Sequence, residues 1–248
     1  MPNSRKDPET DFGIPIPGAV LPPEQWVKTA LKNLPPGKLL EWPALFGREA
    51  PIILELGCGN ARFTLASALR RPEYDHLASD ILPVVIRYAT RRANQRGLRN
   101  TRFVVKDAQT LLAQFIPPGS VREIHIYHPQ PYHNPRWIHR RLITPPFLLS
   151  VHHALESGGM LVLQTDCPPY WDYFERVVPR LFHFEEHRGP WPDMPEGRSR
   201  REILARSRGL TVRRAICRRR DDIEPASLPL LAQALPLPEF HTTAIFDD

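Results

Sequence analysis

The chain has 248 residues, with 33 lysines and arginines against 27 aspartates and glutamates and a formal net charge of +6. That length suits one large α/β domain with appendages rather than two separate cores, and the charge favours an acidic partner such as nucleic acid. No apolar stretch is of the kind that serves as a signal peptide or crosses a bilayer, and Cys58, Cys167 and Cys217 have no metal-ligand spacing. The reading is a reduced, cytoplasmic protein with no membrane association and no metal site.

Residues 1–23 are polar, proline-rich and without periodicity, and are expected to form a mobile tail. A short helix is expected over residues 24–34, with Trp42 and Phe46 closing one edge of the core. The organising stretch is residues 52–60, where a short apolar run breaks into Gly57-Cys58-Gly59. It reads as a buried parallel strand that turns tightly into a helix over residues 62–69, its glycines letting a ligand approach the backbone. A second strand ends at Asp80, and Pro83 opens a helix running to about residue 96 with Val85, Ala89 and Ala93 on one face. A third strand over residues 102–105 leads to an amphipathic helix carrying Leu111, Leu112 and Phe115. The fourth strand, Val121–Tyr127, is followed by the stretch HPQPYHNPRWIHRR.

Residues 138–155 read as a long helix that Pro145 and Pro146 break or kink. Gly158-Gly159 then turns into a fifth strand over residues 160–165, and Tyr170, Phe174 and Val177 mark another helix. Strands alternating with helices in this way imply an α/β, Rossmann-like fold: a mostly parallel sheet with helices on both faces. It is assigned to residues 24–220, leaving residues 221–248 as a Pro- and Leu-rich tail.

In an open parallel sheet the ligand lies outside the carboxyl ends of the strands, where strand order reverses. Glu55, Asp80, Asp107 and Asp166 fall at or just after the ends of expected strands, so the four are expected on one rim. Asp80 follows the glycines by about twenty residues, the spacing at which an acid accepts hydrogen bonds from ribose hydroxyls. Asp80 and Asp107 can equally be helix caps.

The run Glu55-x-Gly57-x-Gly59 is similar to the first motif of class I S-adenosylmethionine (SAM) methyltransferases. Taken with Asp107-Ala108, the stretch 126–141, Gly158-Gly159, Thr165-Asp166 and Ser199-x-x-Glu202, the sequence resembles the TrmB family of tRNA (guanine-N7) methyltransferases over residues 42–220. The resemblance implies a class I methyltransferase fold, SAM as cofactor, and transfer to a variable-loop guanosine of tRNA. Carried over position by position, it implies SAM contacts at Glu55, Gly57, Gly59, Asp80, Asp107 and Ala108. It implies tRNA contacts at Asn134, Arg136, Arg140, Arg141, Asp166, Ser199, Arg200, Arg201 and Glu202.

The family's Pro-Asp-Pro-Trp stretch is Pro129-Gln130-Pro131-Tyr132 here, its following lysine is Asn134, and its third glycine is Ala61. Gln130 therefore takes the catalytic position, beside both cofactor and base. Guanine N7 carries a free lone pair, so methyl transfer to it needs no proton removed, and positioning can supply most of the acceleration. Gln130 keeps a carbonyl acceptor without the charge, and Glu202 or Asp166 is expected to hold the guanine in its stead. Arg136, His139, Arg140 and Arg141, with Arg198, Arg200, Arg201, Arg206 and Arg208, are expected to surround the rim, interleaved with His128, Tyr132, His133 and Trp137. Two other readings stay open: methylation of an exocyclic amine, since the stretch also looks like an Asn/Asp-Pro-Pro-Tyr motif, and a non-catalytic RNA-binding relative. Monomer and homodimer are equally compatible with the sequence.

Overall fold

Every residue of Ile52–Leu56 is buried, as a strand with helices on both faces requires. Around it the computed structural model describes residues 9–34 and 37–243. A hairpin of β1 (Thr10–Asp11) and β2 (Ile14–Pro15) precedes a short helix, α1 (Trp42–Phe46). There follow β3 (Ile52–Leu56), α2 (Arg62–Arg70), β4 (Asp75–Asp80), α3 (Pro83–Gln95), β5 (Thr101–Val105), α4 (Ala108–Gln114) and β6 (Val121–Tyr127). The chain continues through α5 (Pro145–Ala154), β7 (Leu155–Thr165), α6 (Pro168–Val177), β8 (Phe182–Glu186), α7 (Arg200–Ser207), β9 (Arg213–Arg219) and α8 (Leu228–Gln233).

The seven-stranded sheet has the order β5-β4-β3-β6-β7-β9-β8. Its pairs are parallel except at β9, which runs antiparallel between β7 and β8. Strand order reverses between β3 and β6, which places a crevice at their carboxyl ends. Alternate residues of the central strands feed two cores. Leu54, Ile124 and Leu163 pack with Phe147, Val151, Tyr170 and Phe174 beneath one face. On the other face Ala78 and Phe103 pack with Leu65, Ile86, Ala89 and Ala93, while Ile53 and Val162 meet Phe63, Trp191 and Met194.

Several elements differ from the sequence expectation. Residues 24–34 are not a helix: only Pro23–Gln25 form a 3-10 turn, and Thr29 and Leu31 bond to the backbone of Phe103 (2.9 and 2.8 Å), covering the edge of β5. The long helix expected over residues 138–155 is a 3-10 turn, Pro135–Arg140, followed by α5. Pro145 and Pro146 start α5 rather than kink it, because the first turn of a helix has no use for their missing N–H groups. Gly158 and Gly159 lie within β7, at a register shift against β6.

Both segments read as tails are packed where they are described. Asp11 is buried against Asn60 and Arg62, and Arg62 donates to the carbonyl oxygens of Pro15 (2.9 Å) and Gly197 (3.0 Å). At the other end α8 lies against α5, and Tyr173 donates to the carbonyl oxygen of Pro236 (2.9 Å). Proline-rich sequence here marks extended chain laid on the core, a state that periodicity does not register. The ends of both expected tails, residues 1–8 and 244–248, lie outside the described residues.

Candidate active site

The glycine turn is built by backbone bonds to the neighbouring strand. The N–H groups of Gly57 and Cys58 both donate to the carbonyl oxygen of Ser79 (2.9 Å each), and that of Gly59 donates to the Asp80 carboxylate (3.0 Å). Gly57 and Gly59 have φ of 75° and 51°, and a Cβ on either would meet nothing within 4 Å. The turn thus presents bare backbone to open space, a cradle for a ligand. Behind it, Glu55 is 4% exposed and accepts from the Thr64 backbone N–H (3.2 Å) and hydroxyl. Burial, reinforced by the charge of Asp80, pushes its carboxyl up to about 8 against the opposing pull of the Thr64 hydrogen bonds and Arg198.

A cleft of about 440 Å³ opens over this turn, within the size range of small-ligand sites. One wall is Glu55, Gly57, Gly59 and Asn60; the other is His128 with Ser199, Arg200 and Arg201. Chain distant in sequence is brought together because β3 and β6 are neighbours and α7 begins above them.

His128 sits on a hydrogen-bond network whose directions follow from one fixed donor. The Trp191 indole can only donate, and it does so to Gln164 Oε1 (2.6 Å), so Gln164 Nε2 donates to His128 Nε2 (2.8 Å) and to Glu202 (3.0 Å). His128 then carries its hydrogen on Nδ1, directed at Asp166 (2.8 Å). Arg201 closes the group from the other side, 3.0 Å from the second Asp166 oxygen. Burial alone would raise the Asp166 carboxyl, but His128 and Arg201 outweigh it and hold it at about 2. His128 and Tyr132 have φ of 51° and 42°, so the loop carrying Gln130 is bracketed by two side chains in a strained, left-handed backbone. Gln130 itself is exposed.

The expected site residues divide sharply. Glu55, Gly57, Gly59, Ser199, Arg200 and Arg201 share the cleft, and Asp80 and Asp166 brace it. Asp107 is exposed and caps α4, accepting from the Thr110 N–H (2.8 Å), while Ala108 packs on the core beside it. Asn134, with an oxygen 2.9 Å from the Arg136 N–H, caps the following turn, and Arg136 and Arg140 are exposed on it.

Three expected substrate contacts are corrected. Asp166 is 7% exposed, has one oxygen on His128 and the other on Arg201, and does not line the cleft. Arg141 is 2% exposed and donates to the carbonyl oxygens of Pro131 (2.6 Å), Tyr132 (3.1 Å) and Pro238 (2.5 Å), with its guanidinium 3.6 Å from the Phe240 ring centroid. It ties the Gln130 loop to the C-terminal segment and has no face toward a ligand. Glu202 is completely buried, its oxygens taken by Arg214 (2.5 Å), Gln164 and the Arg198 N–H (2.7 Å). Burial would raise its carboxyl, yet these donors hold it below the usual range. The Ser199-x-x-Glu202 pattern is a helix start: Ser199 Oγ accepts from the Glu202 N–H (3.0 Å), and Glu202 reaches back one residue past the cap.

Arg198 also turns inward, donating to the Tyr127 hydroxyl (2.9 Å) and Asp193 (2.7 Å) over the Trp191 ring. Because Arg198 can only donate, the Tyr127 hydroxyl is free to donate to His125 Nδ1 (2.7 Å), and His125 Nε2–H to Glu123 (2.9 Å). Glu123 is bound in turn by Arg71 (2.6 Å). This polar ladder escaped the sequence reading although its signal was present: Glu123, His125 and Tyr127 alternate with Ile124 and Ile126 on a central strand.

The sheet order with one reversed strand, and a glycine turn at the switch point beside paired strand-end acids, define a class I SAM-dependent methyltransferase fold. Comparison with known proteins gives the family. Residues 49–203 match the model of a family described as putative methyltransferase, and the chain belongs to that family. It is 36% identical over 140 residues to the tRNA (guanine-N(7)-)-methyltransferases of Escherichia coli (strain K12) and Shigella flexneri, over 56% of this chain and 59% of each relative. The aligned part is thus less than two thirds of those relatives' length. Among solved structures, a 16S rRNA (adenine(1408)-N(1))-methyltransferase from Catenulisporales acidiphilia with cosubstrate SAM shares the fold, with a TM-score of 0.53 and 16% identity over 74% of this chain and 92% of that one. No helix among the described residues is long and apolar enough to cross a membrane.

Proposed function

We propose that this chain transfers a methyl group from SAM to N7 of a variable-loop guanosine in tRNA. The observation that carries the reading is the two-walled cleft. Residues of the kind that seat SAM, Glu55 and the Gly57–Gly59 turn, face His128, Ser199, Arg200 and Arg201 across one opening. The turn fits the cofactor because both glycines leave room that a side chain would fill. Asp80, at the end of β4, is the candidate partner for the ribose.

When bound, SAM supplies a methyl group on a positively charged sulfonium. The acceptor lone pair on guanine N7 needs no base, so the chain's task is to aim it. The Gln130 loop is rigidly held for that purpose by Arg141 and by its two left-handed residues. Gln130 is exposed on that loop, outside the residues that line the cleft, and its amide carries an oxygen acceptor and two N–H donors for the edge of a base. Asp166 acts through its neighbours, fixing the His128 tautomer and orienting Arg201. Three buried, unpaired cysteines suit a protein that meets tRNA in the cytoplasm.

Arg136 and Arg140 stand exposed on the turn after the Gln130 loop, and Arg200 at the cleft mouth. Arginines of this kind bind phosphates, so affinity for unmodified tRNA is expected to fall linearly with the logarithm of salt concentration. The Arg136→Ala, Arg140→Ala double variant is expected to lower that slope by roughly two while leaving SAM affinity unchanged. Filter binding from 50 to 300 mM salt, roughly the range in which such slopes are read, decides it. A slope of zero in the wild type contradicts an electrostatic tRNA interface.

A further inference from the structure

The residue at the tip of the N-terminal hairpin breaks the rules of its own turn. Phe12 and Gly13 both have left-handed φ, 49° and 84°, between the paired residues Asp11 and Ile14. Two-residue hairpin turns of this kind favour Asn, Asp or Gly at the first position, where an aromatic residue is strained. Nor does burial offset the strain, since Phe12 is 49% exposed. The backbone that carries it is nonetheless anchored. Asp11, 5% exposed, is anchored by Asn60 (2.7 Å) and Arg62 (3.5 Å), both at the glycine turn. The ring lines the same cleft as Glu55, Gly57 and His128, and the Arg200 guanidinium lies 4.8 Å from its centroid.

A strained, solvent-facing aromatic ring at the mouth of a ligand cleft is best explained by what it contacts there. We propose that Phe12 is a base-stacking residue, which with Arg200 holds the acceptor purine flat against the mouth of the cleft. The ring meets Arg200 at the start of α7, and with it lines an adjoining opening beside Val84, Val85 and Tyr88 of α3. Stacking is tolerant of sequence and suits a base splayed out of folded RNA. An aromatic face also attracts positive charge, which develops on a purine as its N7 takes a methyl group. It thereby offsets part of what is lost when Gln130 stands in place of a carboxylate.

This inference rests on the tRNA reading above, and the test separates the two. Phe12→Asn removes the ring and installs a residue that tolerates left-handed φ. Phe12→Trp keeps a stacking face. The Asn variant is expected to melt at or above the wild-type temperature, to bind SAM within about twofold of wild type, and to lose about tenfold or more in kcat/KM for unmodified tRNA. The Trp variant is expected to retain activity. Wild-type kcat/KM in Phe12→Asn overturns the proposal, as does a parallel loss of SAM affinity, which makes the ring part of the cofactor seat. A wild-type enzyme that forms no 7-methylguanosine contradicts the tRNA methylation reading alone. Stacking is then judged from affinity for the same tRNA, which Phe12→Asn must weaken.

Discussion

Replacing Glu202 with alanine is expected to cost on the order of 3–5 kcal/mol of stability, a large part of the roughly 5–15 kcal/mol that holds a folded protein together. The cost arises less from losing the carboxylate than from what it leaves behind. Arg214 is 4% exposed, and its Nη2 is 2.5 Å from Glu202. Without the acid it becomes an uncompensated buried charge. Gln164 and the Arg198 N–H lose an acceptor at the same time. Because Gln164 also sets the His128 tautomer, disorder spreads to the cleft wall. Chemical denaturation should show a much lower midpoint for Glu202→Ala, whereas a variant of wild-type stability with a raised KM for tRNA would restore Glu202 as a substrate contact.

Glu55 is the group whose protonation should be visible in the stability of the whole chain. Its carboxyl is raised from an ordinary value of 4.5 to about 8. Between those values the folded state holds a proton that the unfolded chain has released, so stability falls as pH rises through this window and levels off above it. The contribution lost is on the order of 3–5 kcal/mol. Glu55→Gln keeps the shape and has nothing to titrate. It is therefore expected to gain on the wild type as pH rises from 5 to about 8, and to keep that gain without adding to it above, in paired thermal melts. A difference independent of pH would mean that Glu55 is ionised in the folded protein. Comparing the pair also cancels other buried groups, such as His76, lowered to about 3 mainly by burial, whose stabilisation is lost as pH falls.

The parts of the fold legible in sequence are those written as periodicity and punctuation. The apolar run before Gly57, the Pro83 helix start and the acids at strand ends marked β3, α3 and the rim because each reflects a local backbone requirement. The hairpin, the edge covering at Thr29–Leu31 and the packed segment carrying Pro236, Pro238 and Phe240 are not legible in this way. Their conformation comes from contacts made across the whole chain, not from a repeat. The site divides the same way. Gly57, Gly59 and Asp80 serve the backbone geometry their sequence pattern implies. Glu202 and Arg141 are polar residues whose roles depend on which partners the fold supplies, and burial beside Arg214 or three carbonyl groups reversed the expected direction of their side chains. Phe12 was missed because a lone aromatic in a proline-rich stretch carries no pattern. Only its φ and its place over the cleft single it out.

The central claim is that the cleft joins a SAM seat to a guanine-accepting wall. Its most direct test incubates the purified chain with methyl-labelled SAM and unmodified tRNA, then digests the RNA and identifies the labelled nucleoside. Labelled 7-methylguanosine at the variable loop is the predicted result, and it would show that Gln130 is compatible with the transfer. Label in an N-methylated exocyclic amine, or SAM binding with no transfer to tRNA, would contradict it.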